Sequence, residues 1–420
     1  MARTANNLAR QLKESGEKGY QPAQRREVAA NQEQAESPVN HQRIAIVGTL
    51  VDTMLGFRGE LIREMVTAGH TVFAFATDYT KETRAAIREM GAEPVLYRMG
   101  QVSTNPLGDI AAVWQLYRLF KRHNISLSFC YFSKPSIYGT IAAKMAGVPF
   151  RVAKIEGLGR IFTVGPKGDS FRKRFVRKLM IRLFRFSLPM AHRLLVLNQG
   201  DKEDLESFGI RSPEPEMLGG IGVCLERYSF RPPITDPVRF IFIGRLLHEK
   251  GVRYYIEAAR ALRRSYPKTE FILLGAPDAK PGAINRDELK QLVEEGLIIY
   301  PGLVKDVVPW LADSSVFVLP TYYREGVPRS TQEALAMGRP VITTSMPGCR
   351  KTVVEGENGF LVPPHNQAAL EKAMLRFIQE PELIRPMGLA SYHLARERFD
   401  VREINKTIFR LLDLNPVHLK

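Results

Sequence analysis

The sequence predicts an α/β protein made of two doubly wound domains, with a cleft between the carboxyl ends of their strands. Short apolar runs alternate with segments of helical periodicity in the first half of the chain, and the alternation restarts after a proline-rich stretch containing RSPEPE and FRPPITDP. The length of 420 residues also suits two domains better than one.

The first alternating series begins at Arg43 with RIAIVGT, an apolar run typical of a buried parallel strand. GELIREMVTAGH follows with helical spacing, and TVFAFATD has the composition of a second strand. The series continues through ISLSFCYF, IYGTIAAKMAG, FRVAKIEG and HRLLVLN. We therefore predict a first domain over residues 42–215, preceded by a disordered basic arm over residues 1–41 that is poor in apolar side chains.

The second series follows a predicted linker over residues 216–237 and gives a second domain over residues 238–399. A helix within residues 400–420 is expected to cross back to the first domain. Its segment VREINKTIFRLLDL places one apolar face at Val401, Ile404, Ile408 and Leu411. The series itself consists of VRFIFIGR, VRYYIEAARALRRS, EFILLGA, GLIIYPG, SSVFVLPT, STQEALAMG and RPVITTS.

Composition restricts the class of protein. No run of eighteen apolar residues occurs, so no transmembrane helix is expected, and the polar N-terminus lacks the apolar core of a signal peptide. The three cysteines are too widely spaced for a disulfide framework or a zinc pattern, which indicates a reducing compartment. The formal net charge of +16 favours polyanionic partners such as nucleic acid, anionic lipid or phosphorylated substrates.

Two carboxylates eight residues apart stand out in YYREGVPRSTQEALAMG. Glu325 follows the strand SSVFVLPT, and Glu333 lies about one turn into a helix with Pro328 in its first turn. The free N–H groups and dipole of that helix start suit a phosphate. Glu333 can accept two hydrogen bonds from a diol such as ribose, and Glu325 can accept them from a sugar. On spacing alone, two solvated glutamates at a helix end remain the simpler explanation.

A second loop of the same domain carries two cations. FIGRLLHEKGV follows a strand and precedes a helix, with Arg245 and Lys250 flanking a short loop that Gly251 closes. Arginine offers a planar fork of donors and lysine a point charge, so the pair suits a diphosphate. A basic surface loop would explain this segment by itself, but its occurrence beside the glutamate pair in one domain favours a binding site.

GRLLHEKG, LPTYYREGVPRSTQEALAMGRPVITT and ENGFLVPP, in this order, resemble glycosyltransferase family 4, whose members have two Rossmann-like domains in the GT-B fold. The resemblance spans residues from about 43 to 413 and is strongest over 240–365. It implies that Glu325 contacts the donor sugar, that Glu333 holds the ribose of a nucleotide sugar, and that anomeric configuration is retained. Arg245 and Lys250 would neutralise the diphosphate. The remaining donor-binding residues that it implies are Gly244, Val304 (through its backbone, near the base), Gly326, Val327, Pro328 and Arg329.

Segments of the first domain, STNPL (103–107), SKPSIYG (133–139) and IEGLGRIFT (155–163), look like those of bacterial members that add N-acetylgalactosamine to an undecaprenyl-diphosphate-linked sugar. Many family members have a histidine where this chain has Glu156 followed by GLG, a departure that this subgroup shares. Core packing of Phe57 and simple surface exposure of Lys134 are the alternatives to an acceptor-side role. The acceptor-side residues implied are Phe57, Arg58, Lys134, Glu156, Gly157 and Gly159.

The chemistry that the resemblance implies needs few protein groups. A nucleoside diphosphate leaves, so the protein must stabilise the negative charge that develops on it. Arg245, Lys250 and the helix start near Arg329 can do so without a metal, and the sequence contains no Asp-x-Asp pair, so we expect neither metal nor cofactor. The incoming hydroxyl can pass its proton to the departing phosphate on the same face. Glu325 is then expected to position the sugar rather than attack it.

The segment SFRKRFVRKLMIRLFRF, residues 170–186, concentrates positive charge. Phe171, Phe175, Leu179, Leu183 and Phe186 recur at helical spacing, a pattern typical of a helix lying on an anionic bilayer. The alternatives are a stripe that packs on the domain beneath solvated cations, or nucleic-acid binding, for which no recognisable motif is present. The cations assigned to the membrane are Arg172, Lys173, Arg174, Arg177, Lys178, Arg182 and Arg185.

Taken together, the residues and the resemblance predict a retaining glycosyltransferase that moves a hexose or N-acetylhexosamine from a nucleotide-diphosphate sugar, with UDP expected, to a lipid-diphosphate-linked glycan. It is expected in the cytoplasm, peripheral on the inner face of the cell membrane, without a nucleic-acid partner. A GDP-sugar donor, a soluble acceptor, or a basic polyanion-binding protein on an inactive scaffold are the alternatives.

Overall fold

The computed structural model describes residues 41–100, 106–166, 168–277 and 283–414. The predicted arm therefore lies outside the described residues except for His41, and so do residues 103–105 of STNPL and the last six residues of the chain. Among the described residues, no helix is both long and apolar enough to span a bilayer.

The first domain contains a seven-stranded parallel sheet. One of its interior strands, RIAIV, has four consecutive residues with no exposed area, as expected for a strand covered on both faces. The strands are Arg43–Val47 (β1), Thr71–Ala76 (β2), Glu93–Leu96 (β3), Leu127–Tyr131 (β4), Phe150–Ile155 (β5), Arg193–Val196 (β6) and Pro215–Met217 (β7). They are ordered β3-β2-β1-β4-β5-β6-β7.

Helices connect these strands, because parallel neighbours require a crossover. They are Val51–Thr67 (α1), Lys81–Glu89 (α2), Pro106–Arg122 (α3), Ser133–Met145 (α4), Phe171–Ser187 (α5) and Gln199–Ser207 (α6). Helix α4 packs against both α3 and α5, so these three helices form one layer.

The second domain repeats this arrangement around a six-stranded parallel sheet ordered β10-β9-β8-β11-β12-β13. Its strands are Arg239–Ile243 (β8), Glu270–Leu274 (β9), Ile299–Gly302 (β10), Val316–Leu319 (β11), Val341–Thr344 (β12) and Gly359–Val362 (β13). Its helices are Val252–Ser265 (α7), Arg286–Glu294 (α8), Val308–Ala312 (α9), Arg329–Ala336 (α10), Gln367–Gln379 (α11) and Ile384–Arg398 (α12). The predicted fold class, two doubly wound domains of the GT-B type, is confirmed.

The last helix, Val401–Leu411 (α13), returns to the first domain as predicted. Asn405 Nδ2 donates a hydrogen bond of 2.9 Å to Glu64 Oε1 on α1. The buried face of α13 differs slightly from the predicted one: Leu411 is only half-buried, whereas Asn405 and Phe409 are buried. The buried face of the helix is therefore apolar except for Asn405, whose amide is hydrogen-bonded to Glu64 of the first domain.

The proline-rich stretch only partly separates the two sheets: Pro215 and Glu216 of RSPEPE lie in β7, and FRPPITDP lies between β7 and β8. Strand β7 ends at Met217 and β8 begins at Arg239, so the first sheet runs two residues beyond the predicted end of the first domain at residue 215. The domain and linker boundaries themselves stay predictions.

Candidate active site

Two loops of the second domain meet at the carboxyl edge of its sheet. One follows β8 and carries Arg245 and the short 3-10 helix His248–Lys250, and the other, residues 320–328, follows β11 and carries Glu325. We call the latter the glutamate loop. Strands β8 and β11 are hydrogen-bonded neighbours, which brings the loops together. A Cβ at Gly251, whose φ is +81°, would collide with the carbonyl of Pro320, so glycine permits this approach.

Lys250 and Glu325 form an ion pair in this structure, with side chains that are 13% and 11% exposed. The ring of Tyr323 lies against both predicted diphosphate ligands: the Arg245 guanidinium is 5.9 Å and the Lys250 ammonium 5.6 Å from its centroid. Both distances fall within the range of cation–π attraction. A dianion that draws Lys250 towards itself would free the Glu325 carboxylate for sugar hydroxyls.

Glu333 lies one turn inside α10, paired with Arg329 at 3.0 Å between Oε1 and Nε. The helix begins at Arg329 with Pro328 as its N-cap, so the prediction that placed Pro328 in the first turn was wrong by one residue. The physical reason is its ψ of 125°, which keeps Pro328 outside the helix. The Arg329 guanidinium is 5.6 Å from the Phe57 ring and 5.9 Å from that of Tyr228. Phe57 of the first domain therefore lies against Arg329 of the second.

The glutamate loop is in contact with the first domain through glycines predicted for the acceptor side. We call residues 156–163 the cleft loop. Gly157, with φ +89°, lies so close to Gly326 that a Cβ would collide with the backbone of the glutamate loop. A Cβ on Gly159 would come within 3.2 Å of the Tyr323 hydroxyl. The structure thus brings the two predicted groups of residues together across the cleft.

Polar contacts also join the cleft loop to the second domain. Arg160 Nε lies 2.8 Å from Glu249 Oε1, beside Lys250. The guanidinium of Arg324 pairs with Asp204 on α6. The backbone N–H of Arg324 donates to Thr163 Oγ1 at 2.9 Å. None of these partners, nor Tyr323, was singled out from the sequence.

Arg58 and Glu156, both predicted for the acceptor side, are buried side by side with Lys154. Glu156 pairs with Arg58 and, at 3.0 Å, with Lys154 Nζ, and the Arg58 guanidinium is 4.6 Å from the Tyr131 ring. Burial lowers the pKa of Arg58 to about 10 and that of Lys154 well below its ordinary value. Neither Arg58 nor Glu156 is more than 2% exposed, so they form a buried ion cluster beneath the cleft loop rather than a surface open to solvent.

The other residues predicted to bind the donor lie at the carboxyl edge of the second sheet, and their role stays a prediction. Gly244 directly follows β8, Val304 follows β10 and is partly buried against the core, and Val327 is buried in the glutamate loop. Among the described residues, no group of three or more His, Cys, Asp or Glu side chains is arranged to hold a metal ion.

Family models match most of both domains. Residues 57–219 match the glycosyl transferase 4-like domain, and residues 237–380 match the domain of glycosyl transferases group 1. The chain is a glycosyltransferase of the family 4 type. The predicted resemblance is confirmed.

Two bacterial glycosyltransferases are similar in sequence to this chain over most of its length. One is the N,N'-diacetylbacillosaminyl-diphospho-undecaprenol alpha-1,3-N-acetylgalactosaminyltransferase of Campylobacter jejuni, 24% identical over 357 residues that cover 81% of this chain and 90% of the relative. Another is the UDP-Gal:alpha-D-GlcNAc-diphosphoundecaprenol alpha-1,3-galactosyltransferase of Escherichia coli, 26% identical over 66% of this chain and 72% of the relative.

Solved structures share the fold of the glycosyltransferase. Sucrose-phosphate synthase from Thermosynechococcus elongatus superposes with a TM-score of 0.72 at 18% identity, covering 88% of this chain and 98% of that one. Anabaena HepE in complex with UDP-glucose superposes with a TM-score of 0.69 at 19% identity, covering 89% of this chain and all of that one. At such identities the likeness extends to the fold alone.

Lys134, another predicted acceptor-side residue, belongs to a polar network between α3 and α4 of the glycosyltransferase. Its ammonium lies 2.9 Å from Asp109 Oδ1 and donates to the carbonyl of Gly100 at 2.8 Å. Asp109 also accepts from the Tyr138 hydroxyl at 2.8 Å. The lysine therefore belongs to the packing between α3 and α4 rather than being a simple solvated cation.

Helix α5 carries the predicted basic segment, but the glycosyltransferase uses some of its cations internally. Lys173 and Arg177 both pair with Asp169, and Arg185 donates to the carbonyl of Phe208 at 2.6 Å. In this structure these three cations have partners within the chain, with Asp169 lying just before α5, and their assignment to a membrane stays a prediction. The cations that stay exposed with neither an ion pair nor a side-chain hydrogen bond to any described residue are Arg172, Arg174, Lys178 and Arg182.

The apolar stripe of α5 does not pack on the domain. Phe171 is 85% and Phe175 60% exposed, and Leu179 and Phe186 are also exposed. The helix is anchored instead through Phe184 and its neighbours, and Leu183 of the predicted stripe belongs to this anchoring face. The alternative in which the stripe covers the domain core is therefore wrong for these four residues.

Proposed function

We propose that this glycosyltransferase transfers a hexose or N-acetylhexosamine from a UDP-linked donor to a glycan attached to a lipid diphosphate, with retention of anomeric configuration, in the assembly of a surface polysaccharide or glycoconjugate. The observation that supports it most is the grouping of Arg245, Lys250, Glu325 and Glu333 on one wall of the cleft. The two relatives named above, both acting on diphospho-undecaprenol-linked sugars, support the acceptor class.

In the proposed reaction, the bond between the anomeric carbon and the diphosphate breaks while a bond to the acceptor oxygen forms on the same face. The acceptor hydroxyl passes its proton to the departing phosphate oxygen. Arg245 and Lys250, held against Tyr323, stabilise the charge that grows on the diphosphate. Lys250 leaves Glu325 as it binds the phosphate, and Glu325 then accepts hydrogen bonds from the donor sugar. The proposal requires no metal and no protein nucleophile.

Glu333 holds the ribose of the donor in this proposal. Its carboxylate is 12% exposed and shares one oxygen with Arg329, which leaves acceptor capacity for a diol. Phe57, on the other wall, lies against Arg329 and so faces the nucleotide side rather than a distant acceptor pocket. The buried Arg58–Glu156 pair supports the cleft loop from beneath.

The proposed acceptor is anchored in a bilayer, so the enzyme must reach a membrane surface, proposed here as the inner face of the cell membrane. Exposed aromatic rings and exposed cations on α5 fit an anionic interface. Helix α3, in the same layer, adds a second exposed row: Leu107, Ile110 and Trp114, at 78%, 55% and 51%. Exposed apolar rows of this kind mark interaction surfaces.

A transfer assay tests the proposal. The protein is incubated with a panel of UDP- and GDP-sugars and a short polyprenyl-diphosphate-linked N-acetylhexosamine, and products are followed by mass spectrometry and by NMR of the new linkage. The expected product carries one added sugar in the donor's anomeric configuration. Transfer only from a GDP-sugar, or inversion, would contradict the proposal. Thermal stabilisation by DNA or heparin but not by UDP would favour the polyanion-binding alternative.

A further inference from the structure

The carbonyls of the glutamate loop are held by a buried amide from the opposite domain. Asn198, which follows β6, has no exposed area. Its Nδ2 donates to the carbonyl of Gly326 at 2.7 Å and lies 3.3 Å from that of Glu325. It also donates to Asp201 Oδ2 at 2.8 Å. A side chain of the first domain thus bonds the backbone on which the proposed sugar ligand sits.

We propose that Asn198, oriented by Asp201, is a positioning residue for glycosyl transfer. From the first domain it fixes the Glu325 carboxylate, so that this carboxylate is aligned only while the two domains are closed. The inference rests on the role of Glu325 proposed above. Asn198 does not touch the reacting atoms and acts through the backbone of Glu325 and Gly326.

The surroundings of Asn198 determine which way its amide points. Its Oδ1 accepts the backbone N–H of Asp201 at 2.9 Å, which caps helix α6. The other end of the amide faces the carbonyls of Glu325 and Gly326, which can only accept, and Asp201 Oδ2. Because only an N–H₂ group can donate to them, the donor end must face the glutamate loop. Asp201, which is also buried, thereby holds the amide in the orientation that the loop needs.

Close packing leaves the loop little freedom around this contact. A Cβ on Gly326 would lie 2.7 Å from Leu197 Cδ1 and 2.8 Å from the carbonyl carbon of Glu156. On its far side, a Cβ on Gly348 would collide with the carbonyl of Gly326. The peptide that follows Glu325 is therefore enclosed by both domains, and the Asn198 hydrogen bonds fix its carbonyls within that enclosure.

A serine separates positioning from helix capping. Asn198→Ser keeps an oxygen that can accept the Asp201 N–H, because serine is as good an N-cap as asparagine. It is too short to donate to the Gly326 carbonyl across the domain boundary. Asn285 is a matched control: it caps α8 by accepting the Glu288 N–H at 2.7 Å and lies far in sequence from both loops of the site.

The test compares wild type, Asn198→Ser, Asn285→Ser and Glu325→Gln. Calorimetry measures the binding of UDP, and a transfer assay with the panel of UDP-sugars measures turnover. Amide hydrogen exchange is followed over residues 320–328 with and without UDP. We expect Asn198→Ser to lower kcat about tenfold, or about 1.4 kcal/mol, with UDP affinity within about twofold of wild type. Exchange in the glutamate loop should accelerate in this variant, whereas Asn285→Ser should match wild type in all three readouts.

Wild-type exchange in the glutamate loop of Asn198→Ser, with or without UDP, would overturn the inference. A wild-type kcat in Asn198→Ser, while Glu325→Gln loses activity, would also overturn it. The same holds if Asn198→Ser loses as much UDP affinity as it loses kcat. Full activity in Glu325→Gln would instead refute the role proposed for Glu325, which is a separate outcome. The exchange measurement needs no donor, so it decides the positioning contact even if none of the UDP-sugars in the panel is turned over.

Discussion

Replacing the four exposed cations of α5 by glutamine should release the protein from anionic membranes. Arg172, Arg174, Lys178 and Arg182 are exposed and unpaired with described residues, so their charge is available to lipid head groups. Each is worth about 1 kcal/mol at an anionic surface, which gives about 4 kcal/mol for the set. That corresponds to a decrease in the partition coefficient of roughly a thousandfold.

Co-sedimentation with vesicles containing phosphatidylglycerol measures the effect, and neutral phosphatidylcholine vesicles give the background. Wild-type binding should weaken as salt rises, because the Debye length falls from about 10 Å at 0.1 M to about 3 Å at 1 M. A matched control replaces four exposed cations of the second domain by glutamine and changes the net charge equally: Arg264, Lys268, Lys372 and Arg385.

The control variant should bind vesicles like wild type, because its substitutions lie away from α5. Turnover of a short, water-soluble acceptor should stay normal in the α5 variant, since none of its four cations is assigned to the cleft. Equal binding by the α5 variant and wild type would refute the membrane role of this helix. Equal losses in both quadruple variants would mean that net charge, rather than its location, governs binding.

Three further predictions concern the cleft. A chelator should leave turnover intact, and rescue of chelated enzyme by Mg²⁺ would contradict this. Arg245→Ala should lower kcat/KM by about a hundredfold or more without changing the unfolding temperature, because an exposed side chain is removed and its charge-assisted contact to the leaving group is lost. Tyr323→Phe should keep near-normal turnover while Tyr323→Leu loses about two- to fivefold, because the ring, not the hydroxyl, lies against the two cations; equal losses would refute the cation–π role. Burial raises the pKa of Asp201 to about 7, so between pH 5 and 7 the folded state keeps a proton there that the unfolded state has lost. The free energy of unfolding should therefore fall by about 2–3 kcal/mol as the pH rises from 5 to 7. Urea unfolding at both pH values should show this fall in wild type and a smaller one in Asp201→Asn, although Arg324 and Glu325 also act on this group.

Local patterns were enough to predict the sheets and the loops at their edges. The run RIAIV forms a strand with four fully buried residues, as predicted. Such a strand can be predicted because its apolar pattern and the turn residues that bound it lie within a few positions of one another. The same holds for the loop bearing Glu325, since a residue just after a parallel strand must lie at the carboxyl edge. Pro328 was misplaced by one residue because helix boundaries depend on the backbone angles of a single residue.

Contacts between distant residues were not predictable in this way. Asn198 and Gly326 are 128 positions apart, and from the sequence Asn198 is only the polar end of an apolar run. Burial of Arg58 depends on Lys154 and Glu156 from another element, so the sequence around Arg58 could not reveal it. On α5, charge and spacing indicated an amphipathic helix, but Asp169 decides which of the cations remain available.

The comparison of Glu325→Gln with Glu333→Gln in steady-state transfer tests the central claim most directly. Glu333 should mainly hold the nucleotide through charge-assisted hydrogen bonds worth about 1.5–3 kcal/mol each. Its glutamine variant should therefore raise the donor KM by about tenfold to a hundredfold with little change in kcat. Glu325 should matter most as the sugar gains positive character, so Glu325→Gln should lower kcat with a smaller effect on KM. Wild-type kcat and donor KM in both variants would contradict the assignment of this cleft as the site of transfer.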